Sequence, residues 1–181
     1  RFENCRKTIK KKQTMVIWII GLSGSGKTYL SKKIKIKLKK KIKFIHLDGD
    51  KIRKIFSHDL GYSTLERQKN AERISKLTRF LVDQNNHVIV SVLSNFPYWL
   101  KWNRNNIKDY FQIYIKCKKK TLFSRNKKNL YKSEKQNVVG KDIIFNEPKK
   151  SDFLFNNNFK DQEINIFVEK ITKKIINKIE K

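Results

Sequence analysis

The sequence predicts an α/β fold of three layers, with a parallel five-stranded sheet between two layers of helices. Three observations carry that prediction. Residues 15–20 (MVIWII) and 87–93 (HVIVSVL) are continuous apolar runs rich in β-branched residues, as expected of strands covered on both faces. Segments with helical spacing alternate with these runs, which argues for a parallel sheet covered by helices. A Gly/Ser-rich turn, residues 21–28, joins the first run directly to the first helical segment.

The elements follow in order. After the strand at 15–20 and the turn at 21–28, a helix is expected to about Leu38 and a second strand over Lys43–Leu47. A short helix is expected from Lys51 to about Phe56. Ser63 and Glu66 have the spacing of a capping box, so a longer helix should begin near Thr64 and run to about Gln84. The third strand at 87–93 precedes a helix near Pro97–Ile107, a strand at Phe111–Ile115 and a helical stretch at 118–126. Residues 127–150 are polar and irregular, as a lid or substrate loop would be. Asp152–Asn156 suits a last short strand. Ile164, Phe167, Val168, Ile171, Ile175 and Ile179 mark one face of a terminal amphipathic helix. Residues 1–14 are expected to be a basic extension and 15–181 a single domain with a lid near 127–150, a size that suits one core.

Composition narrows the function classes. The 181 residues carry 44 Lys and Arg against 16 Asp and Glu, a formal charge of +28, which favours anionic ligands and raises a nucleic-acid reading. Only eight of the basic residues are Arg, and Lys, Ile and Asn dominate together, the bias of an AT-rich genome acting on solvated positions. There is no arginine-rich recognition helix, zinc spacing or aromatic RNA-binding strand motif to support a nucleic-acid-binding P-loop module. Cys5 and Cys117 lack metal-ligand spacing and suggest no disulfide framework. No apolar run reaches membrane-spanning length, and the basic N-terminus lacks a signal-peptide apolar region. A cytoplasmic location without membrane association is the expectation.

Gly21-Leu22-Ser23-Gly24-Ser25-Gly26-Lys27-Thr28 satisfies the phosphate-loop pattern GxxxxGK[ST], in its strand–turn–helix context. Glycines let the backbone curl and turn N–H groups toward phosphate, and the following helix adds its positive end. Lys27 is placed to reach the β- and γ-phosphates of ATP, and Thr28 offers a hydroxyl to Mg²⁺. The second strand ends in Asp48-Gly49-Asp50, at the strand ends where open α/β sheets bind ligands. Asp50 suits orientation or deprotonation of an acceptor hydroxyl. Asp48 suits either Mg²⁺, through water, or a helix cap. Arg53 follows one helical turn after Asp50. Projected at 100° per residue, Arg67, Asn70 and Arg73 fall around the buried stripe of Ile74, Leu77 and Leu81. A buried guanidinium needs a partner, and an anionic substrate is a suitable one; the alternative is that these residues snorkel outward from the core edge. Phe96, Tyr98, Trp99 and Trp102 suit either a base pocket or core packing.

On these residues the chain resembles the adenylyl-sulfate kinase family, over about residues 15–180. The resemblance begins at Trp18-Ile19-Ile20 with the phosphate loop and continues through Leu47-Asp48-Gly49-Asp50 and Arg53. It then takes in Asp59-Leu60-Gly61-Tyr62-Ser63, Arg67, Asn70 and Arg73, with looser matches at Ser94, Arg104, Arg125 and Leu130-Tyr131-Lys132. It implies a P-loop kinase that uses ATP and Mg²⁺ to phosphorylate the 3′-hydroxyl of adenylyl sulfate in sulfate assimilation, in a family often dimeric. Asp50 would position that hydroxyl. Arg53, Arg67 and Asn70 would hold the acceptor nucleotide, with Arg73, Ser94 and Lys132 beside them, and Arg125 would pack over the ATP adenine side.

The sequence also departs from the family. Ser-Pro becomes Ser94-Asn95, and Pro97 and Leu100 stand near the places of two arginines. Asn-Phe-Thr-Gly of the lid becomes Asn137-Val138-Val139-Gly140, so the ring expected to stack on the acceptor's adenine is replaced by Val138. The Asp-x-Pro-Tyr-Glu segment is altered around Asp142–Pro148, with Phe145 where Tyr is usual. Phosphate-side residues are kept while base-side residues are not. Relatives of this family that work beside surface-polysaccharide genes phosphorylate other nucleotides, such as cytidine diphosphoramidate, and the chain resembles those as an alternative.

Overall fold

The computed structural model describes residues 14–93, 96–125, 130–131 and 136–179. The order is β1 (Val16–Ile20), α1 (Lys27–Leu38), β2 (Phe44–Asp48), α2 (Gly49–Ile55), α3 (Thr64–Asp83), β3 (His87–Val92), α4 (Pro97–Asn106), β4 (Tyr110–Lys116), α5 (Lys119–Arg125), β5 (Phe153–Asn156) and α6 (Asp161–Ile179). All four strand pairings are parallel, in the order β2-β3-β1-β4-β5, which is the predicted five-stranded sheet.

The unbroken apolar runs arise because β1 is covered on both faces. Ile17 and Ile19 join Leu30, Ile34 and Leu38 of α1 and Ile164, Val168, Ile171 and Ile175 of α6 in one core. Val16, Trp18 and Ile20 turn the other way, into a second core with Ile52 of α2 and Ile74 and Val82 of α3. The two-residue period of a strand thus assigns alternate side chains to opposite layers. A third, smaller apolar cluster joins Leu22, Leu122, Tyr131, Val138 and Val139 above the carboxyl end of the sheet.

The predicted capping box of α3 is present. Ser63 Oγ accepts from Glu66 N–H, while the Glu66 carboxylate accepts from the N–H groups of Ser63 and Gly61 and from the Ser63 hydroxyl. These bonds, led by the Ser63 hydroxyl, hold the Glu66 carboxyl below its usual value. The predicted α2 starts two residues earlier than expected. Asp48, whose side chain accepts from Asp50 and Lys51 N–H, nucleates it at Gly49. Of the aromatic group at α4, Trp99 is buried and meets the exposed Tyr98 and the half-buried Trp102 edge-on at 5.1 and 5.6 Å. No helix among the described residues is long and apolar enough to cross a membrane.

Ile171 is fully buried at the α6 side of the sheet. Ile171→Ala should destabilise the fold by about 2–5 kcal/mol through lost transfer energy and a residual cavity, checked by urea unfolding. Because the Glu66 carboxyl titrates below its usual 4.5 when folded, its contribution is complete above that value and fades as the pH falls through the lower folded value. Glu66→Gln should therefore flatten the acid limb of a plot of unfolding midpoint against pH; an unchanged limb would remove the carboxylate from the cap.

Candidate active site

Five strand ends converge at the carboxyl edge of the sheet, and the predicted chemistry lies there. The phosphate loop leaves β1 at Ile20 and enters α1 at Lys27. Gly21 has no alternative, since a Cβ would lie 2.7 Å from the Ile115 carbonyl oxygen and 2.8 Å from Ser25 Oγ. Gly26, the residue capping α1, has φ +98, and no side chain caps the helix. The first N–H groups of α1 therefore remain available for an anion.

The loop's carbonyls are held from within the protein. Lys27 Nζ donates to Gly21 O at 2.9 Å and to Leu22 O at 2.8 Å. Tyr131 Oη donates to Ser23 O at 2.9 Å. Ser25 Oγ is buried beside Gly21 and has no hydrogen-bond partner among the described residues. Ser23 and Gly24 complete the curl, with Gly24 at φ +78. Thr28 Oγ1 donates to Asp48 Oδ2 at 2.9 Å, while Asp48 Oδ1 accepts from Asp50 N–H at 3.1 Å and Lys51 N–H at 3.4 Å. Asp48 is thus both the cap of α2 and the carboxylate facing Thr28, so the two sequence readings of it coexist. A hydroxyl and a carboxylate oxygen this close are hard donors that fit Mg²⁺, which binds few protein oxygens and keeps phosphate oxygens and water.

Beside the loop lies a cleft lined by Trp18, Asp50, Arg53, Tyr62, Arg67 and Asn70, among others. Asp50 stands exposed in the first turn of α2. Arg53 is buried, and its Nη1 donates to the carbonyls of Leu60 and Gly61 at 2.9 and 2.7 Å. Arg67 donates to Tyr62 O and, across the cleft, to Asn137 O, both at 2.8 Å. Both guanidinium groups lie against the Tyr62 ring, at 5.0 and 5.2 Å from its centroid. Burial, and then the charge of Arg53, lowers the Arg67 pKa, while Tyr62 and Asp50 oppose the shift. Two cations in one half-buried cleft favour an anionic occupant. Asn70 Oδ1 and Trp18 Nε1 are buried without a hydrogen-bond partner among the described residues.

Not every candidate joins this cleft. Arg73 is a turn further along α3 and is spent elsewhere: its Nη1 and Nη2 donate to the two oxygens of Asp59 at 2.9 and 2.5 Å, and it lies over the Phe56 ring at 4.1 Å. It locks the loop ahead of α3 rather than lining the cleft. The Val138 side chain is buried with Leu22, Leu122, Tyr131 and Val139. Its N–H donates to Asp142 Oδ2, and its carbonyl accepts from the N–H groups of residues 141–143, so residues 138–143 form a tight knot. Arg125 stacks on the Phe159 ring at 3.8 Å. Ser94 and Lys132, with Lys127 and Lys128, lie outside the described residues. Sequence reasoning read Trp18 only as strand core and attached no role to Tyr62, Tyr131 or Asn157. A single apolar or polar residue in a strand or a loop carries no periodic signal of what it faces.

Comparison with known proteins agrees with this geometry. Residues 13–156 match the family described as Adenylylsulphate kinase. The chain is 39% identical over 169 residues to the cytidine diphosphoramidate kinase of Campylobacter jejuni subsp. jejuni serotype O:2, covering 89% of this chain and 98% of that protein. It is 31% identical over 160 residues to a probable adenylyl-sulfate kinase of Bacillus subtilis (strain 168), covering 82% and 78%. Its structure is similar to the Mycobacterium tuberculosis APS kinase CysC in complex with AMPPNP and APS, with a TM-score of 0.78 at 26% identity, over 93% of this chain and 99% of that one. With a phosphate loop between β1 and α1, an arginine-lined cleft beside it and a family match across most of its length, the chain belongs to the adenylylsulphate kinase family of ATP-dependent P-loop kinases.

Proposed function

We propose that the chain transfers the γ-phosphoryl group of ATP to a hydroxyl of a cytidine nucleotide, cytidine diphosphoramidate. The observation that carries the choice of acceptor is Val138. Where the family resemblance places an aromatic ring to stack on adenine, this chain has a valine turned into the apolar cluster around Leu22 and Tyr131. The 39% identity to the Campylobacter kinase, over nearly all of that protein, supports the same acceptor. Adenylyl sulfate, the acceptor first implied by the family resemblance, is the second reading: Arg53, Arg67 and Asn70 suit the anionic end of either molecule.

The mechanism follows from the site. ATP phosphates sit in the loop 21–28, and Lys27 exchanges its hold on Gly21 and Leu22 carbonyls for phosphate oxygens. Thr28 and Asp48 would hold Mg²⁺, which when bound neutralises phosphate charge. Arg53 and Arg67 clamp the acceptor's anionic end, with Tyr62 between them as a platform. Asp50 accepts the hydrogen bond of the attacking hydroxyl and takes its proton as the new O–P bond forms and the bond to ADP breaks. Positioning and charge supply most of the rate enhancement. Residues 137–143, with the Asn137 carbonyl held by Arg67, shield the site from water.

With γ-labelled ATP, kcat/KM for cytidine diphosphoramidate should exceed that for adenylyl sulfate by about tenfold or more, the worth of one base-reading contact; equal or reversed preference overturns the choice of acceptor. Lys27→Ala should lower transfer by about two orders of magnitude or more for either acceptor, the scale of one preorganised charge contact. Transfer retained at the wild-type rate in that variant would remove the phosphate loop from the chemistry.

A further inference from the structure

We infer that Asn157 is a positioning residue for the phosphate loop, aiming the Gly26 N–H at the nucleotide's phosphates. The inference rests on the ATP-dependent kinase reading and adds to it a residue outside the sequence motif. Asn157 directly follows β5 and is 5% exposed. Its backbone N–H donates to Lys116 O at 2.8 Å, extending the β4–β5 ladder by one bond. Its side chain reaches two further elements. Nδ2 donates to Ser25 O at 2.8 Å, and Oδ1 accepts from Phe159 N–H at 2.8 Å. One partner is a carbonyl and the other an N–H, so only one orientation of the amide satisfies both.

The consequence lies in peptide geometry. The Ser25–Gly26 peptide is trans, so its C=O and N–H point in opposite directions. Anchoring the Ser25 carbonyl from the β5 side turns the Gly26 N–H away from β5, into the curl of the loop. The contact also fixes residue 26: a Cβ there would lie 2.8 Å from Asn157 Nδ2, and the backbone already has φ +98. A glycine at 26 thus serves the approach of Asn157 as well as the approach of phosphate. Cys117 Sγ meets the same Ser25 oxygen at 3.7 Å, a weaker contact from the end of β4. Through Oδ1 the amide also holds Phe159 in a left-handed conformation, φ +64, with its ring beneath the Arg125 guanidinium. A single buried side chain therefore ties the phosphate loop to the Arg125–Phe159 stack.

The test uses two variants of the full chain, Asn157→Asp and Asn157→Ser, with Mg·ATP and tripolyphosphate as probes in calorimetry, and Ile175→Val in the α6 core as a destabilised control. Asp keeps the acceptor for Phe159 N–H but cannot donate to Ser25 O, whereas Ser is neutral and too short to reach it. Both Asn157 variants should lose about tenfold in affinity for both probes, as expected for one lost directing hydrogen bond. Ile175→Val should melt earlier yet bind both probes as the wild type does. Unchanged affinity in both Asn157 variants overturns the proposal. Loss in Asp alone assigns the effect to charge and overturns it too, as does a control that loses affinity in step with its melting temperature. A wild-type chain that binds neither probe refutes the kinase reading itself, and the inference falls with it.

Discussion

The structure depends on one electrostatic constraint: a loop that gathers phosphate must turn successive N–H groups to one side, and every carbonyl it displaces needs a donor elsewhere. The donors come from four directions. Lys27 of α1 takes the carbonyls of residues 21 and 22, Tyr131 takes that of 23, and Asn157 after β5 takes that of 25, with Cys117 after β4 beside it. A buried carbonyl left unpaired would cost about 1–3 kcal/mol, so these bonds stabilise the curled loop before any ligand arrives. The parallel sheet makes this arrangement available, because every strand delivers its carboxyl end to the same edge. Lys27 differs from the other donors in being able to leave: its ammonium can move from carbonyl to phosphate oxygen at little net cost, whereas Tyr131 and Asn157 are held in place by packing.

The acceptor side is organised by the opposite problem, a surplus of positive charge. Arg53 and Arg67 donate to backbone carbonyls and lie against the face of Tyr62. Carbonyl dipoles and a ring quadrupole orient a guanidinium without neutralising it, and the charge of Asp50 acts on Arg67 within the same cleft. Arg73 shows the contrast on the same helix: paired in two bonds with Asp59, it fastens the segment that presents Tyr62. Three arginines at related positions thus divide into two that line the cleft and one that holds the loop.

How much of this was legible in the sequence depended on whether the signal was periodic, local or neither. The strands and helices were read from period and turn chemistry, and α3 was placed to the residue because Ser63 and Glu66 carry their own cap. The phosphate loop was legible because its geometry is built from residues adjacent in the chain. Arg67 and Asn70 followed from helical projection, but projection could not tell Arg73 from them, since its partner Asp59 lies in a loop whose path only the fold defines. Asn157 was invisible for the same reason: 132 residues separate it from Ser25, and nothing in an Asn-rich tail distinguishes it from its neighbours. Val138 was noticed only as a missing ring; its burial against Leu22 supplied the reason that the segment is anchored without one.

The distribution of Lys and Arg separates bulk charge from chemistry. A formal charge of +28 invites a nucleic-acid reading, yet most of it is Lys on solvated positions. The six arginines among the described residues have multidentate or stacked partners. Arg53 and Arg67 each meet two acceptors and a ring, and Arg73 and Arg104 each fork onto a carboxylate while lying over a ring. Arg79 joins Asp83 to the Asn106 carbonyl, and Arg125 stacks on Phe159. A lysine has neither the planar fork nor the flat face that these positions use. A bias toward Lys can therefore spread across a solvated surface without touching them, so the arginines mark fixed contacts, those of Arg53 and Arg67 at the cleft among them, while the net charge locates nothing.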